Sequence, residues 1–155
     1  RSILGSGSQW ELYILSMCLV TDVELSPDDA VELDAGAIRA RATSLLREIL
    51  SDPAPRQRDI PTLMAFAAAV GLSAVAAEDA GPDRRAVGAE LVATALAVGT
   101  NQTCRLLSHD YLRSRTERLD ALALAQAEER IRSLDRGGLV VHAADLAGRL
   151  AGEVG

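Results

Sequence analysis

The chain has 155 residues, of which 48% are hydrophobic and 3% aromatic, and it carries a formal net charge of −6. This length suits one domain, and the apolar fraction excludes a disordered chain. The acidic balance argues against non-specific binding to nucleic acid or anionic lipid, since both need a basic face. Abundant alanine with few aromatic residues favours packed helices over sheets. We therefore predict one all-α domain over 1–155, a compact helical bundle of five to seven helices.

Two further features of the composition narrow the class of protein. All sixteen basic residues are arginine, which is typical of a GC-rich coding genome and which we do not interpret as a functional signal. Cys18 and Cys104 are far apart, so we expect neither a disulfide framework nor a cysteine-based zinc site.

No apolar run reaches the length of a membrane span, and 12–20 lacks signal-peptide features. We expect a cytoplasmic protein and, since the chain begins with arginine, allow for a longer natural N-terminus.

The first predicted helix, Ser8 to Val20, is apolar on every side. A helix of this kind is buried all round, and at the end of a small domain that predicts burial against a second copy of the chain. We therefore expect a homodimer. Its predicted interface residues are Trp10, Tyr13, Ile14 and Met17.

An acidic segment follows, in which Asp28, Asp29 and Glu32 spell D-D-x-x-E. This is the outline of an aspartate-rich magnesium motif in terpenoid synthases, where carboxylates hold a diphosphate through the metal. The chain is short for such an enzyme, and no second metal motif stands out. Because Ser26 and Pro27 form a helix start, after which acidic residues are common, we interpret these carboxylates as part of a helix N-terminus.

Two patterns predict the next helices. A stripe at helical spacing predicts a helix over 34–50; its members are Ile38, Ala42, Leu45 and Ile49. Small residues at four-residue spacing then predict that 61–98 forms a tight antiparallel hairpin around the turn at 80–83. These small residues are Ala65, Ala67, Ala69 and Gly71 in one helix, and Ala89, Ala93 and Ala97 in the other.

The helical run from 84 to 134 is too long to be one straight helix. It would span roughly 75 Å at 1.5 Å per residue, whereas a compact domain of this size has a radius of gyration of about 15 Å. We predict a break at Gly99 and Asn101, and a second at the capping-box sequence Ser114 to Glu117. The next helix should end at Gly137 and Gly138, and the last should cover 139–154.

The stretch 99–111 concentrates the chain's unusual polar residues. If 103 onward is helical, Ser108, Tyr111 and Arg115 share a face that Leu112 and Leu119 turn inward, and His109 and Arg113 lie on the adjacent face. We hypothesise a polar pocket here; its ligand-binding candidates are Asn101, Arg105, Ser108 and Arg115, and its catalytic candidates are His109 and Tyr111. Asp110 follows His109 directly, so we expect it to point elsewhere. The simpler interpretation is a kinked helix whose polar residues satisfy the break.

For the other rows of charged residues we favour interpretations that involve no chemistry. The row His142, Asp145, Arg149 and Glu153 could hold an acid–base dyad, but such rows are more often solvated ion-pair ladders. Glu128 and Glu129 lie among arginines on what we take to be another solvated face. The chain has no P-loop, no Gly-x-Gly-x-x-Gly and no Gly-x-Ser-x-Gly. Its two histidines do not match a di-iron or zinc bundle pattern, so we expect no metal and no cofactor.

These observations lead to two hypotheses about function. The first is a helical homo-oligomeric interaction module or small-ligand-binding module without catalysis, whose partners are a second copy and a small molecule but neither nucleic acid nor membrane. The alternative is a small cofactor-free enzyme, a lyase, isomerase or cyclase of a mostly apolar small molecule, that uses the polar pocket around 101–115.

Overall fold

The computed structural model describes residues 11, 13–20, 35–50, 60–77, 81–100 and 107–154, and the regular structure in these ranges is helical throughout. This confirms the all-α bundle. The helices are α1 (13–20), α2 (Ala35–Leu50), α3 (Ile60–Ala76), α4 (Pro82–Val98), α5 (His109–Ile131) and α6 (Arg136–Val154). No helix among the described residues is long and apolar enough to cross a bilayer.

α3 and α4 pack against each other as the predicted hairpin, which lies at the centre of the bundle. α3 is buried along almost its whole length, and α4 also contacts α5 and α6. The two helices approach most closely where Gly71 faces Gly88, since a Cβ at Gly71 would lie 2.6 Å from the Gly88 carbonyl oxygen. The predicted small residues are buried except Ala97, which is exposed on the outer side of α4.

α2 packs on this centre through its predicted stripe. Ala42, Leu45 and Ile49 are buried, and Ile38 packs half-buried against the core. α2 contacts both α3 and α6, and the Arg39 Nε donates a hydrogen bond of 2.9 Å to the Ser73 hydroxyl of α3. The stripe therefore packs α2 against α3 and α6.

The long helical run breaks at Gly99, as its length required. Gly99 adopts φ of +116°, a backbone conformation that side-chain-bearing residues rarely adopt, and its N–H donates to the Ala95 carbonyl at the end of α4. α5 begins again after Ser108, whose hydroxyl accepts a hydrogen bond from the Tyr111 N–H. Asn101, the other predicted break residue, lies outside the described residues.

A second break reverses the chain inside α5. Asp120 has φ of −160° and ψ of 81°, and its carboxylate accepts a 3.0 Å hydrogen bond from the Ala123 N–H. On a straight helix Arg113 and Glu128 would be roughly 22 Å apart, yet their side chains are hydrogen-bonded. α5 is therefore a hairpin with a first arm, 109–119, and a second arm, 121–131.

The predicted break at Ser114 to Glu117 is wrong, because those residues are helical within the first arm. The Thr116 hydroxyl donates to the Leu112 carbonyl in the preceding turn and so does not cap a new helix. Asp120 supplies the capping carboxylate three residues further along. Arg85 of α4 holds the reversal, since its Nη2 donates to the Leu119 carbonyl and its Nε lies 3.6 Å from the Asp120 carboxylate.

The start of α6 also differs from the prediction. Gly137 and Gly138 do not end the preceding helix; they form the first turn of α6, because Asp135 accepts a 2.7 Å hydrogen bond from the Gly138 N–H. Apolar residues at helical spacing turn one face of α6 to the core, and they are Leu139, Ala143, Leu146 and Leu150. Arg136 donates to the Val98 carbonyl at 2.8 Å, which joins the start of α6 to the end of α4.

Candidate functional site

A groove of about 530 Å³ opens where the end of α4, the two arms of α5 and the start of α6 meet. Three helix ends determine the position of this groove. α4 ends at Gly99, the chain reverses at Asp120 between the two arms of α5, and α6 begins after Asp135. The lining residues are Ala93, Leu96, Ala97, His109, Arg113, Glu128, Ile131, Arg132, Leu134 and Leu139.

The floor of the groove is apolar. Leu96, Ile131 and Leu139 are buried, as is Ala93 beside them. Leu134, in the turn between α5 and α6, is 37% exposed and extends this apolar surface toward solvent. The groove can therefore cover an aliphatic or aromatic body of a ligand.

The polar side of the groove is an ion pair between the two arms of α5. Arg113 donates from Nε and Nη2 to the two carboxylate oxygens of Glu128, at 3.1 and 3.2 Å, and its Nη1 lies 3.6 Å from Glu117. The hydrogen bonds to Glu128, and then its charge, raise the pKa of Arg113 above its ordinary value. Arg132 pairs with Glu129 at 2.8 Å on the outer surface.

A buried carboxylate lies one helical turn from the groove. Glu90 of α4, whose side chain is 10% exposed, accepts hydrogen bonds from Arg130 of α5 and His142 of α6, each at 2.5 Å. Burial acts to raise the pKa of Glu90, but the hydrogen bonds from His142 and Arg130 outweigh it and hold the pKa below its ordinary value. This cluster fixes three helices around the groove.

The structure separates the predicted site residues. His109 lines the groove, but Ser108, Tyr111 and Arg115 do not. Ser108 caps α5, and Tyr111 packs against the core with its hydroxyl buried. Arg115 is half-buried with its Nε inside the protein. The other ligand-binding candidates, Asn101 and Arg105, lie outside the described residues, as does Cys104.

Asp110 lies closer to His109 than the sequence led us to expect. One of its carboxylate oxygens is 3.5 Å from the His109 Nδ1, in the range of an ion pair. The Asp110 side chain is fully exposed, however, so water screens this contact and it holds the imidazole only weakly.

Of the residues predicted to form the dimer interface, some pack against the protein's own core and one is exposed. Tyr13 meets the ring of Phe66 edge-on, with ring centroids 5.9 Å apart, and Met17 also packs half-buried against the core. Ile14 is 46% exposed. Trp10 lies outside the described residues, as do Asp28, Asp29 and Glu32 of the acidic motif.

Several contacts in and near the groove were not predicted from the sequence. The ladder interpretation was wrong for His142, which bonds to Glu90 across the bundle, and Glu128 is the partner of Arg113. The sequence did indicate that Glu90 is unusual, because it is the single acidic residue inside the apolar run 86–98. The part of the chain that the structure describes holds no group of three His, Cys, Asp or Glu side chains that could bind a metal ion.

No family model, curated protein or solved structure matches this chain. We therefore infer its function from the shape and charge of the groove.

Proposed function

We propose that this protein is a helical module that binds a small, largely apolar molecule in the groove between α4, α5 and α6 without converting it. The observation that carries the proposal is about 530 Å³ of space over an apolar floor. Pockets for small molecules commonly enclose roughly 300–1,000 Å³, with apolar walls and a few polar groups that fix orientation. The groove has a volume in this range, an apolar floor and charged side chains around that floor.

The positions of the polar side chains favour binding over turnover. A catalytic site needs its acid, base or nucleophile within reach of one reacting atom. Of the two catalytic candidates His109 lines the groove, whereas Tyr111 packs into the core. The Glu90–His142 pair is outside the lining. A cofactor-free lyase, isomerase or cyclase has less support for this reason.

Filling the groove tests the proposal. Ala97 lines the groove and is exposed, so Ala97→Trp should occupy the space without disturbing the core. We expect the neutral fluorescent probe N-phenyl-1-naphthylamine to bind the unmodified protein, and its affinity to fall about tenfold, or about 1.4 kcal/mol, in the variant.

Ala121→Trp is the matched control, because Ala121 is an exposed helical alanine outside the lining. It should bind the probe like the unmodified protein. The proposal fails if the unmodified protein does not bind the probe, or if Ala97→Trp binds it equally well.

Self-association through α1 is a second proposal, supported by the exposure of Ile14. Since Met17 packs against the protein's own core, Ile14→Asp alone is the cleaner substitution. We expect light scattering after size exclusion to give a dimer for the unmodified protein and a monomer for Ile14→Asp. Val141→Asp, at an exposed valine of α6, should stay dimeric. A monomeric unmodified protein at micromolar concentration would refute the homodimer.

A further inference from the structure

We propose that the natural ligand of the groove is a small amphipathic anion whose carboxylate replaces that of Glu128 on Arg113. This inference rests on the proposed function and adds the chemical class of the ligand. The apolar part of such a molecule would lie over Leu96, Ile131 and Leu139, which form the floor. Its charged end would face the first arm of α5.

The charges that line the groove are mainly positive. Two guanidinium groups, Arg113 and Arg132, share the lining with one carboxylate, Glu128. This local balance contrasts with the net charge of −6 of the chain. The carboxylates of Glu117 and Glu129 lie nearby but are not part of the lining. Within the lining, guanidinium groups outnumber carboxylates, and this favours the charged end of an anion.

The ion pair between Arg113 and Glu128 can exchange its carboxylate. The two side chains are 38% and 39% exposed, so water reaches both charges and competes with the ion pair. Glu128 presents both oxygens to the planar guanidinium, the geometry that a ligand carboxylate would reproduce. Release would leave Glu128 in water and the bundle intact.

The carboxylate of Glu90, unlike that of Glu128, is not open to exchange with a ligand. Its side chain is 10% exposed, and it bonds to both Arg130 and His142, so it cannot leave without exposing a buried site. The structure thus contains one fixed carboxylate that holds the helices together and one exchangeable carboxylate at the groove.

Three probes with the same ten-carbon chain test the proposal by calorimetric titration at pH 7: decanoate, decanol and decylamine. We expect decanoate to bind about tenfold more tightly than decanol, in line with a charge-assisted bidentate contact, and decylamine to bind most weakly. Equal affinities for decanoate and decanol would overturn this inference and leave the proposed function standing. Tighter binding of decylamine would overturn it in favour of a cationic ligand. Absence of binding by all three would refute both proposals.

Two variants locate the effect at Arg113. Glu128→Gln removes the internal competitor and should strengthen decanoate binding about three- to tenfold, whereas Arg113→Gln should reduce it to the level of decanol. Glu48→Gln makes the same change of net charge at an exposed residue of α2 outside the lining, and it should alter the affinity less than about twofold. If Glu128→Gln and Glu48→Gln have the same effect, the exchange of carboxylates on Arg113 is refuted.

Discussion

Gly71 and Gly88 set the distance between the two central helices. A Cβ at Gly71 would lie 2.6 Å from the Gly88 carbonyl oxygen and 2.9 Å from a methyl group of Val92. Backbone cannot move aside as the end of a flexible side chain can, so the helices would have to separate. The sequence predicted the close approach from the alanines and Gly71, but not the part of Gly88.

Gly71→Ala should therefore destabilise the protein. Overpacking in a core costs about 1–3 kcal/mol, which exceeds the gain of about 1 kcal/mol from the higher helix propensity of alanine. We expect the free energy of unfolding to fall by up to about 2 kcal/mol in urea titrations followed by circular dichroism.

The matched control is Gly148→Ala in α6, where a new Cβ would meet nothing within 4 Å. This variant should be more stable than the unmodified protein by about 0.5–1 kcal/mol. If both alanine variants were stabilised equally, the close contact at Gly71 would not limit the packing of α3 and α4.

The candidate site was only partly predictable at the level of single residues. The density of polar residues at 99–111 pointed to His109, and helical spacing placed Arg113 on the same face; both line the groove. Glu128 could not be assigned, because its contact with Arg113 depends on the reversal of the chain at Asp120. Tyr111 was predicted to line the pocket but packs against the core. An amphipathic residue on an inward face can do either, and helical spacing does not distinguish the two.

At the scale of helices, Glu90 joins α4 to α5 and α6. Its pKa lies below the ordinary value of 4.5, because the hydrogen bonds from His142 and Arg130 outweigh the effect of burial. A carboxyl group with a lowered pKa in the folded state adds stability above its unfolded pKa. That stability is lost as the pH falls through the folded pKa. The contribution of Glu90 is thus complete at neutral pH and disappears in acid.

Glu90→Gln should remove this contribution. At pH 7 we expect the free energy of unfolding to drop by about 1–3 kcal/mol, the range for hydrogen bonds to a charged group. The difference from the unmodified protein should shrink as the pH is lowered below 4.5, since Glu90 itself becomes protonated there. Urea titrations between pH 7 and pH 3 measure both effects.

Glu129→Gln controls for the loss of one charge, because Glu129 is exposed and pairs with Arg132 three residues along the same surface. Its stability should change by less than about 0.5 kcal/mol at any pH. A difference for Glu90→Gln that stays constant with pH would show that the folded protein does not favour the ionised carboxylate.

The helices themselves followed from the sequence more reliably than their ends. The length of the run 84–134 required breaks, and Gly99 supplied one of them. The second break, however, was placed at a capping-box sequence that is helical, and the actual cap is Asp120. Serine, threonine and aspartate can each cap a helix, so local sequence offers several starts, and packing against Arg85 selects one of them.

At the scale of the whole molecule, the groove results from how the helices are interrupted. α4 is the central helix, in contact with α3, α5 and α6, and its end is followed by a chain reversal at Asp120 and a turn before Asp135. Apolar side chains of three helices surround one space here, and the charges come from the arms of α5 and from Arg132. The apolar patterns predicted the bundle, whereas the groove depends on contacts between residues far apart in the chain.

The most direct test of the proposed function is where a small amphiphile binds. We would titrate the ¹⁵N-labelled protein with decanoate and follow the backbone amide signals by two-dimensional NMR. We expect the largest shifts at Leu96, Ile131 and Leu139, around the groove floor, with small changes along α2, which contributes no residue to the lining. Unchanged signals at those three residues, or larger shifts along α2, would contradict the proposed function.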